Sequence, residues 1–327
     1  MTRHGELDMA QTERRKMLIK VAKMYYYGHM TQQEICNTLQ ISRPKVSRML
    51  QEAEELGIVK FTICDPAFNY EDAEKALKDC FSLKYVKVVP STGAPDRVKH
   101  SIGIAASELL NRYMSDGSVI GISWGTTVNA FVNAYQAVKP CKNSVIVQLV
   151  GGMYSRSMHM DGRELARILA EKLKCSYSAL QAPMFVHSTE LKALLMEEPE
   201  TKRHFELMDR LDIAFIGIGS SNYKESVVYK AQYIEEEAAK NLYAEGLCDI
   251  CGHQIDENGY EPDNFFSRRL IGIPLDCLRK TPLTVGICAG SNKTKSIRAA
   301  VNGGYIRALI IDEVAAISLL EGLGIEL

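Results

Sequence analysis

The spacing of apolar residues changes character along the chain. Over residues 14–56 it is helical: Leu18, Val21, Ala22 and Tyr25 share one face, then Ile35 and Leu39, then Val46, Met49, Leu50 and Ala53. Residues 58–63 (IVKFTI) alternate weakly and favour extended backbone, which predicts a short wing hairpin or a strand beside the helices, broken by Asp65 and Pro66. Residues 71–81 return to a helical stripe of Ala73, Ala76, Leu77 and Cys80 opposite charged positions, the pattern of a linking helix. From Lys84 onward, apolar runs at 85–89, 118–122, 144–150, 213–218, 283–287 and 308–311 alternate with helical stretches such as 96–114, 162–173, 234–245 and 294–302. Near-continuous apolar strands separated by helices predict a mostly parallel sheet covered on both faces. The expected fold is α/β, with a small N-terminal helix-turn-helix (winged-helix-like) domain at 1–65, a linker helix at 66–83 and a large doubly wound sheet domain at 84–327.

Local signals sharpen the first three helices. Gly28 is expected to end the first of them in left-handed backbone. Thr31 followed by Glu34 is a capping-box signature for the second. Gln40 falls where such turns often use Gly, and a left-handed residue with a Cβ costs about 1–2 kcal/mol that packing must offset. Ser42 is placed to cap the third helix, with Pro44 tolerated in its first turn.

With Val46, Met49, Leu50 and Ala53 facing inward, Arg43, Lys45, Ser47, Arg48 and Gln51 face out. Two short capped helices, the small Cys36 where the third must approach, and a basic outer face form the layout of a DNA-reading helix-turn-helix. Arg43 and Lys45 are best placed for base edges, with Arg48 on the same face, while Thr31, Gln32, Ser42 and Ser47 are placed for phosphates. The competing reading is a three-helix core with a solvated basic face.

Composition narrows the class. A chain of 327 residues that is 46% hydrophobic can fill two cores of unequal size. Residues 1–64 hold ten Lys or Arg against seven Asp or Glu, so the overall charge of −1 divides into +3 there and −4 beyond. No run reaches the roughly 18 apolar residues of a membrane span, and the opening residues are too polar for a secretory signal. A cytoplasmic protein without membrane partners is expected. Nine cysteines scattered from Cys36 to Cys288 suit reduced thiols better than a disulfide framework.

The large domain offers chemistry where its strands end. Glycines and small hydroxyls cluster at Ser123–Thr127 in the sequence SWGTT, at Gly151 and Gly152, at Gly217, Gly219, Ser220 and Ser221, and at Ala289 to Lys293 (AGSNK). Glycine lets an anion approach the backbone, and a following helix directs free amides at it. Gly125, Thr126 and Thr127 are the strongest phosphate candidates, and Lys293 could balance a second anionic group; the plain alternative for any one loop is a tight turn. A nucleotide cofactor is not expected: after Gly217 and Gly219 the third fingerprint glycine is missing, and no GxxxxGK[ST] run occurs.

Cys248, Cys251 and His253 form a C-x2-C-x-H cluster without a fourth spaced ligand, so buried thiols are preferred to a metal site. His159 near Asp161 and His187 near Glu190 suggest loop or cap residues. If the domain were an enzyme, Asp249, Asp256 and Lys293 would be its acid–base groups.

At these residues the chain resembles the sugar-binding regulators of the SorC type, also grouped under the DeoR name. The resemblance runs over nearly the whole length: SRPKVSRML at 42–50, ISWGTT at 122–127, VQLVGG at 147–152, GLCDICGHQIDENG at 246–259 and AGSNKTKSIRAAVNGGYIRALIIDEVAA at 289–316 match in order. It implies an effector domain related to phosphosugar isomerases that binds a phosphorylated sugar or polyol and alters operator-DNA affinity in a homodimer or homotetramer. Carried over by position, Gly125, Thr126 and Thr127 would hold the phosphate, and Gln148, Gly152, Asp249, Phe265, Arg268 and Lys293 would surround the sugar. Two positions depart from the family pattern. His253 to Asp256 (HQID) replaces a more apolar, aromatic stretch, and Val150 before Gly151 offers no amine for an imine link to an aldehyde sugar. The expected activity is that of an allosteric regulator; the alternative is a phosphosugar isomerase-like enzyme with a DNA-binding head.

Overall fold

The computed structural model describes residues 3–28, 30–56, 58–59, 68–138, 140–152, 161–230, 234–244 and 246–325. The chain divides into two compact units, Met1–Ile63 and Cys64–Leu327.

Among its described residues the first unit has three α-helices: α1 (Arg3–Ala22), followed by a π-helical turn Lys23–Tyr27, α2 (Gln32–Leu39) and α3 (Arg43–Glu55). Leu18, Val21, Ile35, Cys36, Val46, Met49 and Leu50 form its core, the faces that the helical spacing predicts. The capping box at Thr31 is present: its Oγ1 accepts from Glu34 N at 3.2 Å, and Thr31 N donates to Glu34 Oε2 at 2.7 Å. Gln40 adopts left-handed backbone with φ +55°, and its side-chain amide donates to Asn37 O at 2.8 Å, which offsets part of the strain.

Two local expectations are corrected. Gly28 has φ −84° and is not left-handed; a Cβ there would lie 2.7 Å from Met24 O, so crowding against the π-helical turn explains the glycine. Ser42 occupies the cap position of α3 without a side-chain capping bond; its carbonyl takes Lys45 N and Val46 N. The expected wing falls largely outside the described residues. Of that stretch, Ile58 packs on the head core and its amide closes back on Ala53 O at 2.8 Å.

The second unit begins with α4 (Tyr70–Cys80), β1 (Tyr85–Val89), α5 (Pro95–Tyr113), β2 (Val119–Ile122), α6 (Thr126–Ala134), β3 (Val145–Gln148), α7 (Gly162–Leu173) and β4 (Ser176–Ser178). It continues with α8 (Thr189–Glu197), α9 (Pro199–Met208), β5 (Ile213–Gly217), α10 (Val227–Lys230), α11 (Glu236–Ala244), β6 (Cys248–Ile250) and β7 (His253–Ile255). It closes with α12 (Leu275–Lys280), β8 (Leu283–Ile287), α13 (Thr294–Asn302), β9 (Ala308–Asp312) and α14 (Glu313–Glu321). Seven strands form one sheet in the order β1-β9-β8-β5-β2-β3-β4, every neighbouring pair parallel. Alternate strand residues point to opposite faces, so a central strand such as β5 feeds both cores: Ile213 and Phe215 enter one, Ala214 and Ile216 the other. Phe131 of α6 stacks on Phe215 at 4.5 Å. The expected linking helix α4 buries Ala73 and Leu77 in the core of this unit.

β6 and β7 form a separate antiparallel hairpin around the two-residue turn Cys251–Gly252, both at positive φ. Such turns favour Asn-Gly or Asp-Gly; a cysteine in the first position hid this one from the sequence pattern.

Candidate functional site

In the head, α3 presents its free face as the apolar spacing requires: Arg43, Lys45, Ser47, Arg48 and Gln51 are exposed while Val46, Met49, Leu50 and Ala53 are buried. Arg14 grips Glu52 with a two-point ion pair, Nε to Oε1 at 3.0 Å and Nη2 to Oε2 at 2.9 Å, which ties α1 to the back of α3. Tyr26 donates to Glu54 Oε1 at 2.8 Å, and burial with that neighbouring carboxylate pushes its phenol up to about 12. The basic helix is thus held from behind by its acidic residues, leaving the arginines and lysine forward. Of the phosphate candidates, Ser42 and Ser47 are exposed and Gln32 half-buried. The hydroxyl of Thr31 is already engaged by Glu34, donating to Oε2 at 2.8 Å, so its role is to cap α2.

In the second unit, chain direction across the sheet reverses between β2 and β5: from β2 the chain proceeds outward through β3 and β4, then returns to β5 and proceeds the other way through β8 and β9. Ligands of open α/β sheets collect at the carboxyl ends of the strands at such a point. Here Ser123, just after β2, accepts from Gly217 N at 3.0 Å and binds the two strand ends together. Gly125 follows at φ +112°, with nothing within 4 Å of where a Cβ would stand. Helix α6 then opens, and the amides of Thr126, Thr127 and Val128 precede its first internal bond, from Asn129 N to Gly125 O. Open space above a glycine, free amides and two threonine hydroxyls suit a phosphate.

Asp249 of β6 closes on the same strand ends. Gly219 N donates to Asp249 O at 2.8 Å, and a Cβ on Gly219 would stand 2.6 Å from Asp249 Cβ. Burial pushes the Asp249 carboxyl up to about 6, opposed by the Gly252 amide and by the charges of His253 and Lys293. Lys293 is half-buried at the turn Ser291–Lys293 after β8; burial pulls its ammonium below the ordinary lysine value, while Cys288, Glu225 and Asp249 act the other way. Gly125 to Thr127, Asp249 and Lys293 therefore belong to neighbouring strand ends: a cradle of amides, one carboxyl and one amine.

The remaining candidates stand differently. Gln148 is 1% exposed, donates to Val150 O at 2.6 Å and accepts Leu180 N at 3.1 Å, so it shapes the turn after β3. Gly152 pairs across that turn, donating to Ala182 O at 2.8 Å and accepting Met184 N at 2.9 Å. Arg268 is exposed and held by Asp263 at 2.6 and 2.7 Å, and Phe265 lies under the Arg269 guanidinium at 3.1 Å. Their segment reaches the sheet where Leu270 bridges to Phe185 and Gly272 to Val150, on the β3 side.

Both ring nitrogens of His253 are engaged, Nδ1 with Glu261 Oε1 and Nε2 with Ile273 O, each at 2.8 Å. Cys248 and Cys251 are buried, and no group of three or more His, Cys, Asp or Glu placed to hold a metal occurs among the described residues. Asp256 accepts Asn258 N and Tyr260 N and builds the turn after β7. His159 lies outside the described residues, while Asp161 caps α7 by accepting Arg163 N at 2.8 Å.

Sequence reasoning missed two residues near these groups. His204, 2% exposed, lies 2.7 Å from Ser178 Oγ through Nδ1 and 2.7 Å from Gln148 O through Nε2, and burial lowers its pKa. Gln254, between His253 and Ile255 in a three-residue strand, reaches Asp249. Its signal was a polar residue beside Ile255 in a stretch too short to show a period.

A basic helix-turn-helix head joined to a parallel sheet whose strand ends carry glycines, hydroxyls and free helix amides is the layout of a ligand-responsive transcriptional regulator rather than an enzyme. Residues 65–321 match the putative sugar-binding domain family, and the chain belongs to that family of SorC-type sugar-binding transcriptional regulators. It is 29% identical over 313 residues to the deoxyribonucleoside regulator of Bacillus subtilis, covering 95% of this chain and 99% of that protein. The full-length sorbitol operon regulator SorC of Klebsiella pneumoniae superposes with a TM-score of 0.72 at 28% identity, over 93% of this chain and 98% of that one. A DeoR family transcriptional regulator from Listeria monocytogenes covers 77% of this chain and 99% of its own at a TM-score of 0.70 and 26% identity. No helix among the described residues is long and apolar enough to cross a membrane.

Proposed function

We propose that this regulator acts in the cytoplasm as a homodimer or homotetramer, reads operator DNA with Arg43, Lys45 and Arg48 of α3, and changes its DNA affinity on binding a phosphorylated sugar or polyol. The observation that carries the ligand class is the opening of α6 beside Lys293 and Asp249. Unpaired amides and Thr126 and Thr127 meet the phosphate, and Lys293 and Asp249 meet the sugar. Phe265, Arg268 and Gly152 border the site from the β3 side, and Gln148 holds that border in shape. A coupling of about 1–3 kcal/mol between the two sites changes DNA affinity 5- to 150-fold.

The test is binding to DNA from upstream of the chain's own gene against scrambled DNA, at fixed salt because phosphate contacts make affinity steeply salt-dependent, with and without a panel of sugar phosphates. Specific binding that one sugar phosphate shifts supports the reading. Specific binding that responds only to unphosphorylated sugars overturns the phosphate assignment, and indifference to the upstream sequence overturns the operator assignment.

A further inference from the structure

The β6–β7 hairpin carries a buried acceptor that lacks a donor among the described residues. Gln254 stands directly opposite Asp249 in the hairpin register, so the two side chains share one face. That face meets the strand ends: Asp249 abuts Gly219 and feels the charge of Lys293. The Gln254 side chain is 4% exposed, and its Nε2 donates to Asp249 Oδ2 at 3.0 Å. The same amide lies against Tyr243, whose hydroxyl donates to Ser226 Oγ at 2.8 Å and so returns only lone pairs. Two acceptors fix the nitrogen of Gln254 toward them and turn Oε1 away. Oε1 is buried and has no hydrogen-bond partner among the described residues.

A buried carbonyl without a donor is unfavourable, and one that persists in a binding domain calls for a donor from outside the chain. Gln254 Oε1 only accepts, and an ionised Asp249 only accepts, so their complement is two donors held close together. Neighbouring hydroxyls of a sugar or polyol have that form. We infer that Gln254 is a specificity residue: its Oε1 takes the effector hydroxyl next to the one held by Asp249, and the chain thereby selects a hydroxylated effector over its deoxy counterpart. The inference rests on the phosphosugar reading of this same site.

The test measures binding of pentose and hexose phosphates, each with its singly deoxygenated analogues (2-, 3- or 4-deoxy), to the full chain and to Gln254→Met, by calorimetry. The wild-type chain is expected to bind at least one parent phosphate about tenfold or more tighter than one deoxy analogue, and Gln254→Met to shrink that ratio to about threefold or less, because a site built around a hydroxyl rejects the analogue that leaves its polar group unpaired. Thermal unfolding without ligand provides a second readout. The midpoint of Gln254→Met reports folding only, because the substitution removes the Nε2 donor to Asp249 Oδ2 together with the unpaired carbonyl. Gln254→Asn, which draws the amide back by one methylene, gives the same binding readout should the methionine variant not fold.

A wild-type preference that survives unchanged in the variant overturns the inference, as does the lack of any preference in the wild type, the result expected if a trapped water satisfies Oε1. Failure of every sugar phosphate to bind the wild-type chain overturns the phosphosugar reading itself and the inference with it.

Discussion

Tyr70 donates its hydroxyl proton to Glu313 Oε2 at 2.7 Å, joining the first residue of α4 to the first residue of α14. Glu313 is 1% exposed, and its other oxygen has no partner among the described residues. Beside it, Asp312 accepts Ser91 Oγ at 2.9 Å and Gly290 N at 2.8 Å, so the ends of β9 and β8 and the residues after β1 are fastened together under α4. Tyr70→Phe leaves the buried Glu313 carboxylate with only the longer bond from Ser91 N at 3.5 Å and is expected to cost about 1–3 kcal/mol. Urea unfolding of the two proteins checks this; equal midpoints and slopes would show that the bond contributes nothing net.

Arg43→Ala and Lys45→Ala should each weaken specific operator binding by about 1–3 kcal/mol while leaving sugar-phosphate affinity in place, because both side chains are exposed on the face of α3 proposed to read DNA. Fluorescence anisotropy with operator DNA, paired with calorimetry for the ligand, separates the two. Equal loss of both affinities would mean that the substitutions had damaged more than the head.

Thr126→Val keeps the size of the side chain at the first position of α6 and removes its hydroxyl. Affinity for a phosphorylated effector is expected to fall by about tenfold, the worth of one charge-assisted hydrogen bond, with little change for the unphosphorylated parent. A uniform loss across both would place the phosphate elsewhere.

Asp249 should make ligand-free stability depend on pH. Its folded pKa is raised to about 6 by burial, above its unfolded value, so the stability it contributes is fully present below about pH 4 and is lost as pH rises through about 6. The swing is on the order of 2 kcal/mol. Comparing the unfolding midpoint of the parent with that of Asp249→Asn between pH 4 and pH 7 isolates it: the parent should lose stability relative to the variant as pH rises. A flat difference would mean that the carboxyl titrates normally.

Gln148→Leu is expected to destabilise the second unit by about 1–3 kcal/mol, since Leu180 N loses its acceptor and Val150 O its donor. Ligand affinity should fall only indirectly. If thermal unfolding is unchanged while affinity collapses, Gln148 contacts the ligand.

The helices of the head were legible because their signals are local. Thr31 finds Glu34 within one turn, and the stripe from Val46 to Ala53 repeats at the helical period. The central strands were equally plain, since Leu283–Ile287 and Ile213–Gly217 are buried on both faces and read as unbroken apolar runs. Elements without such a run escaped notice: β4 (SYS) lies half in solvent at the sheet edge, and the β6–β7 hairpin turns on Cys251.

By itself, then, the sequence determined a basic helix-turn-helix, a parallel sheet and glycine-hydroxyl turns able to receive an anion, because periodicity, capping and turn chemistry act within a few residues. The strand order was decided only by packing between segments far apart in the chain. That order brings Gly125, Gly219 and Lys293 to neighbouring strand ends and lays Asp249 across them. It also buries Gln148 among backbone partners that no local pattern names and leaves Gln254 Oε1 without one among the described residues. Whether a polar side chain is satisfied depends on atoms contributed by distant strands, and those are in place only once the sheet has closed.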